Sequence, residues 1–215
     1  MTRSRPDEPE QRPGLAERAF AAAYDPLTAL AERRVLGRVR RRLITPLSGR
    51  VVEIGAGTGA NLAYYGSHVD LTVCEPALPM RRRLERAVSD RPATTVSSAP
   101  AEDLPVADAT VDALVCTLVL CTVSEPHRAL AEARRALRPG GVLVLLEHVR
   151  GRPGLHARVQ DLVAPVWRTL ACGCRPNQDT AALLEDAGFA WVDRDRHDLP
   201  VPVVSPLVAG LLIPR

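Results

Sequence analysis

The sequence predicts an α/β fold, a sheet sandwiched between two helical layers. Three observations carry that prediction. Val51–Ile54, Val69–Cys74, Val111–Leu118 and Val142–Leu146 are near-continuous apolar runs, as strands buried on both faces require. Segments with helical periodicity alternate with them. A glycine-rich turn, Gly55-Ala56-Gly57-Thr58-Gly59, follows the first run and precedes a helical stretch.

Met1 to Pro13 is charged and proline-rich, so residues 1–14 are expected to form a disordered tail without the apolar core of an export signal. From Pro26 to Leu43 the pattern is helical, with Leu27, Leu30, Ala31, Val35, Val39 and Leu43 on one face. Arg33, Arg34, Arg38, Arg40, Arg41 and Arg42 crowd its second half. They read as a solvated face that suits a helix C-terminus, or as attraction to an acidic partner or membrane surface. Further helices are expected at Ala60–Tyr65, Pro79–Arg91, Pro126–Leu137 and Asn177–Ala187. Pro126 suits a first helical turn, and Gly140 and Gly188 suit helix ends. Thr94–Ser97, Phe189–Arg194 and Val208–Ile213 complete seven strands. Leu155, Val159, Leu162, Val163, Val166, Trp167 and Leu170 form an apolar stripe at helical spacing, in a helix that Pro165 is expected to kink. That stripe either docks on the core or makes a lid or apolar substrate wall.

The 215-residue chain suits one compact domain with a sizeable core. All 28 basic residues are arginine, and the net charge of +3 is too mild to imply nucleic acid. No window approaches the ~20 apolar residues of a membrane span. Five cysteines make no disulfide framework. Cys74, Cys116 and Cys121 read as small buried hydrophobes, and a cytoplasmic location follows. Cys172-Gly173-Cys174 lacks the spacing of a zinc site, so no metal is expected; a thiol near the substrate mouth is its other reading.

The glycine loop is a cradle for a nucleotide-type ligand, because backbone without side chains lets a ligand lie against it. Gly55-x-Gly57-x-x-Ala60 also satisfies the looser dinucleotide fingerprint. Two acids separate the possibilities. Glu53 sits inside the first strand, where a buried carboxylate needs a partner such as an amino-acid ammonium. Glu75 ends the second strand, where an acid accepts both hydroxyls of a ribose. A ligand with both ends is S-adenosylmethionine.

Glu53-Ile-Gly-Ala-Gly-Thr-Gly59 resembles the first motif of class I S-adenosylmethionine-dependent methyltransferases. Ala101-Glu102-Asp103-Leu104-Pro105, Val111 to Cys116, and Arg138-Pro139-Gly140-Gly141 resemble later markers in the same order. Gly57-Thr-Gly-Ala-Asn61, Cys116 to Val123 and Glu147-His148-Val149 resemble the methyltransferase-like thiol methyltransferases, which act on small alkyl thiols. The resemblance implies a Rossmann-like class I methyltransferase fold over residues 47–215, a seven-stranded, mostly parallel sheet whose final strand is antiparallel. It also implies cap helices over residues 15–46. In the cofactor site it implies Glu53, Gly55, Ala56, Gly57, Gly59 and Asn61 from the first motif, Glu75 and Pro76 from the second strand's end, Ala101 and Glu102 beside adenine, and Leu118 beside the methyl group. Pro100 departs from the family, which commonly has an acid there.

His148, at the end of the fifth strand, is the candidate general base or else a structural histidine. A thiol is partly ionised at neutral pH and needs no strong base. The expected partner is thus a small, fairly apolar acceptor, with alkyl thiols favoured. Quinones or secondary metabolites accepting at O, N or C are the alternative, and a catalytically silent binding subunit is the third reading.

Overall fold

A computed structural model of the protein describes residues 14–199 and 201–215. The expected tail lies outside them, except Gly14, which caps the first helix. The elements in chain order are α1 (Leu15–Ala31), α2 (Gly37–Ile44), β1 (Arg50–Ile54), β2 (Asp70–Cys74), α3 (Leu78–Ala87), β3 (Thr94–Ser97), β4 (Val111–Thr117), α4 (Pro126–Ala136), β5 (Leu137–His148), α5 (Leu155–Leu170), α6 (Thr180–Asp186), β6 (Phe189–His197) and β7 (Leu207–Pro214).

The sheet has seven strands in the order β3-β2-β1-β4-β5-β7-β6. The first five run parallel, and β7 is antiparallel to both of its neighbours. Strand order reverses between β1 and β4, and a crevice at their carboxyl ends is where such sheets bind ligands. Alternation along each strand feeds two cores. Val52, Ile54, Leu114 and Cys116 pack with α4 and α6 residues such as Leu130 and Leu184. Val51, Ala113 and Val115 face the other way, against Val39 and Leu43 of α2 and Leu84 of α3.

Three expectations are corrected. The helix expected at Ala60–Tyr65 is only a 3-10 turn over Leu62–Tyr64. Six residues are too few to repay helix nucleation, and Glu53 claims the side chains of Asn61 and Tyr65. The helix expected from Pro26 starts at Leu15 and runs on to Ile44, with a π turn over Glu32–Leu36. That turn changes the face α2 presents, and Arg40, expected among the solvated arginines, is buried.

The third concerns α5, which runs unbroken through Pro165. Its stripe does not dock on the core, since Leu155 and Leu162 are each 79% exposed. Ala157 and Gln160 face inward instead. Gln160 accepts from the Gly151 N–H and donates to the carbonyls of Pro176 and Ser205, so one amide ties three loops together. Among the described residues, no helix is long and apolar enough to cross a membrane.

Candidate active site

The first strand delivers the chain directly into the turn. Gly55 and Gly57 adopt φ of +59° and +60°, a left-handed conformation that L side chains rarely take. A Cβ at Gly55 would collide with Val119, whereas one at Gly57 would project into open space. Gly57 therefore forms the floor of a cradle that a side chain would fill. The small cavity beside it, about 30 Å³, is bordered by Tyr24, Arg40, Glu53, Gly57, Thr117 and Leu118. A larger one, about 200 Å³, is lined by Arg150, Asp179, Trp191 and Arg196 and touches no part of the glycine loop. The loop geometry, not the larger volume, marks the candidate cofactor site.

Glu75 reaches across from the end of β2. Its Oε2 accepts from the Gly57 N–H at 2.8 Å and its Oε1 from the Ala77 N–H at 2.8 Å. Burial raises its pKa, and those two bonds oppose the rise. An ionised carboxylate has about four acceptor sites, so lone pairs remain free after these two N–H groups are satisfied. Pro76 follows in the same turn, its carbonyl accepting from Arg81.

Glu53 is deeply buried, with Oε1 accepting from Asn61 Nδ2 at 2.9 Å and Oε2 from Tyr65 Oη at 2.7 Å. Burial pushes its pKa up to about 7, against the pull of those bonds and of Arg40. The protein itself thus supplies the partners that sequence reasoning assigned to a ligand. Asn61 also donates to Thr117 Oγ1 and accepts from Arg40 Nη1. Arg40 closes the network through Thr117 and Glu32. Sequence reasoning missed this residue, although Leu36, Arg40 and Leu43 share the inward i, i+4, i+7 spacing.

Helix α1 lies over the glycine loop. Thr58 Oγ1 donates to Asp25 Oδ1 at 2.6 Å, and Arg83 pairs with Asp25 while donating to the Ala21 carbonyl. Burial pushes the Tyr24 phenol up to about 12, with Arg40 opposing. On the far wall, Leu118 has φ +58°, a strain of about 1–2 kcal/mol for a non-glycine residue.

Ala101 and Glu102 are less direct. Ala101 packs into the core, and Glu102 Oε1 accepts from the Glu125 N–H at the start of α4; neither borders the small cavity.

Glu147 and His148 end β5. Glu147 is fully buried, with Oε1 accepting from the Val119 and Leu120 N–H groups, so it shapes the loop after β4. Its Oε2 has no partner. His148 places Nε2 3.1 Å from Cys174 Sγ, and Cys121 completes a buried cluster. The hydrogen bond with Cys121 is the largest influence lowering Cys174 to about 5, assisted by His148 against burial. Burial favours neutral His148, but Cys174 and Glu147 outweigh it and raise its pKa. The general-base role expected for His148 does not fit this geometry, because the ring is engaged by a thiol and does not border the cavity. Cys174, by contrast, acquires neighbours that the Cys172-Gly173-Cys174 spacing concealed.

Known proteins similar to this chain identify its family. A family model described as a methyltransferase domain matches residues 52–145. Human thiol S-methyltransferase TMT1B is 36% identical over 176 residues, covering 78% of this chain and 72% of that protein. Demethylmenaquinone methyltransferase of Paenarthrobacter aurescens (strain TC1) is 29% identical over 206 residues, covering 86% and 76%. A Thermotoga maritima structure described as a SAM-dependent methyltransferase, possible histamine N-methyltransferase, superposes with a TM-score of 0.65 at 22% identity, covering 92% of this chain and 95% of that one. That last likeness speaks to the fold. With 36% identity to the human thiol S-methyltransferase over 72% of its length, the chain belongs to the class I S-adenosylmethionine-dependent methyltransferases, in the methyltransferase-like group that includes the thiol S-methyltransferases.

Proposed function

We propose that this methyltransferase acts on the sulfur of a small alkyl thiol. One observation carries the reading: the titratable groups around the cavity are already committed. Glu53 receives Asn61 and Tyr65, Arg40 holds Asn61, Thr117 and Glu32, and the Tyr24 phenol stays protonated at neutral pH. A thiol acceptor asks for no base, since a few per cent is thiolate at pH 7. The thiol S-methyltransferase relative supports the same acceptor.

S-adenosylmethionine supplies an activated sulfonium methyl. The residues that would hold it are Gly55, Ala56, Gly57 and Gly59 by backbone, and Glu75 and Pro76 at the ribose. Glu53 and Asn61 would face the methionine end through their shared network. Ala101 and Glu102 shape the adenine side from behind, and Leu118 borders the methyl. Helices α1 and α2 serve as the cap, with Tyr24 excluding water. A quinone acceptor is the second reading, favoured by the demethylmenaquinone methyltransferase relative. Five free cysteines suit the reducing cytoplasm. Methyl transfer assayed side by side on alkyl thiols and a demethylated quinone tests the acceptor, with thioether formation expected.

A further inference from the structure

Three elements remote in sequence bring two thiols and an imidazole together. Cys121 lies in the loop after β4, His148 ends β5, and Cys174 follows α5. Their ligand atoms, Sγ, Nε2 and Sγ, all lie within 4.8 Å of one another, and all three residues are buried. A tetrahedral zinc ion with Zn–S near 2.3 Å and Zn–N near 2.0–2.1 Å spaces its ligand atoms about 3.5–3.8 Å apart. The His148–Cys174 separation of 3.1 Å would open by only about 0.4 Å to match that spacing.

The surroundings look built for the task. Trp167 Nε1–H donates to Cys174 Sγ at 3.3 Å, the kind of outer hydrogen bond that orients a metal ligand. Arg175 ties the two cysteine segments together, since its N–H and its Nε both donate to the Cys121 carbonyl. Gly173, at φ +94°, turns Cys174 inward while Cys172 stays exposed. A second, independent observation is that Glu147, the residue next to His148, keeps a buried Oε2 without a hydrogen-bond partner.

We propose that Cys121, His148 and Cys174 bind a zinc ion, whose fourth position takes the sulfur of the acceptor. The acceptor role rests on the thiol reading above; the metal site does not. Among the described residues no fourth His, Cys, Asp or Glu joins the group, and three protein ligands with one open position is the pattern of catalytic zinc. None of the three ligands borders the small cavity, but Cys121 lies three residues after Leu118, which does, and the wall residue Tyr24 lies within electrostatic reach of Cys121 and Glu147.

The chemistry balances. Zinc takes Cys121 and Cys174 as thiolates and His148 as a neutral imidazole, and whatever protons these groups carry leave to solvent. The acceptor R–SH loses its proton to solvent on coordination. Its sulfur then forms the S–CH3 bond as the sulfonium S–CH3 bond breaks, giving R–S–CH3 and S-adenosylhomocysteine. No oxidant or reductant is needed.

The test begins with the reduced full chain titrated with zinc and analysed for bound metal after dialysis. One zinc per chain is expected, retained by Cys172→Ser and lost by Cys121→Ser and Cys174→Ser. Failure of the wild-type chain to hold zinc, or a Cys121–Cys174 disulfide in its place, would overturn the site without relying on folded variants. Cobalt-substituted protein with S-adenosylhomocysteine is then given an alkyl thiol. A change in the cobalt absorption bands supports entry at the fourth position, and an unchanged spectrum overturns it. Finally, thiol turnover is followed from about pH 7 to 9. The zinc form is expected to be flat, and the metal-free form about thirtyfold slower at pH 7 and rising with thiol ionisation. Identical profiles would overturn the metal's part and leave the thiol reading standing. Bound zinc and bound S-adenosylhomocysteine without thiol turnover would sink the thiol reading and leave the metal site standing.

Discussion

Glu75 Oε2 accepts the Gly57 N–H at 2.8 Å, so the acid at the end of β2 fixes the loop at the end of β1. One carboxylate shapes the cradle, and in the proposed reading it offers its remaining lone pairs to a ribose. Glu75→Ala removes both functions. Its S-adenosylhomocysteine affinity is expected to fall on the order of a hundredfold or more, two charge-assisted hydrogen bonds being worth about 1.5–3 kcal/mol each. Calorimetric titration reads this directly, and unchanged affinity would remove Glu75 from the site.

Gly57 and Gly55 predict opposite outcomes. Gly57→Val places its side chain in open space, so the protein is expected to fold, at a backbone cost of at least about 1–2 kcal/mol, and to bind no S-adenosylhomocysteine. Gly55→Ala drives a methyl into Val119 and is expected to lose fold stability first. Thermal melting alongside ligand titration separates the two, and normal binding by Gly57→Val would refute the cradle.

The pKa of Glu53, pushed up to about 7 by burial, predicts a pH dependence. The folded state holds the proton more tightly than the unfolded chain. This contribution to stability is therefore complete at low pH and is lost as pH rises from about 4.5 to about 7, by about 3 kcal/mol as an upper bound. A bound ammonium favours the ionised form. S-adenosylhomocysteine affinity is thus expected to weaken below pH 7, by up to about tenfold per unit, and Glu53→Gln to abolish that slope. A wild-type affinity independent of pH from 5 to 8 would show that no ligand cation faces Glu53.

Arg40 is expected to matter to the fold as much as to the site. Arg40→Ala strands Asn61 Oδ1, Thr117 and Glu32, and breaking such a buried network by one partner costs about 3–5 kcal/mol. Urea unfolding measures it. A loss below about 1 kcal/mol would place Arg40 with the surface arginines.

Breaking the contacts between α1 and the glycine loop tests the cap. Asp25→Ala removes the acceptor of Thr58 and the partner of Arg83. Faster association of S-adenosylhomocysteine in stopped flow is expected, and an unchanged rate would detach α1 from gating.

Legibility from sequence followed the range of the interactions. The parallel strands were readable because burial on both faces leaves apolar runs, and Thr94–Ser97 falls where its pattern placed it. The glycine loop and Glu75 were readable because a sharp turn and a strand-end acid are local signals. The turn over Leu62–Tyr64 was not, since a side chain elsewhere, Glu53, decides where Asn61 and Tyr65 go. Arg40 was hidden among arginines until the π turn fixed its face. In α5 the apolar stripe suggested either docking or a lid, and docking fails because Gln160 holds the inward face with hydrogen bonds that periodicity does not register. Cys121, His148 and Cys174 meet only through tertiary structure, and no spacing rule around Cys172 could assemble them.

The most direct measurement is methyl transfer from S-adenosylmethionine to alkyl thiols, phenols and a demethylated quinone, in a preparation shown by calorimetry to bind S-adenosylhomocysteine. Methyl thioethers from the alkyl thiols, with little product from the others, are the predicted result. Turnover confined to the quinone or the phenols would contradict the thiol acceptor.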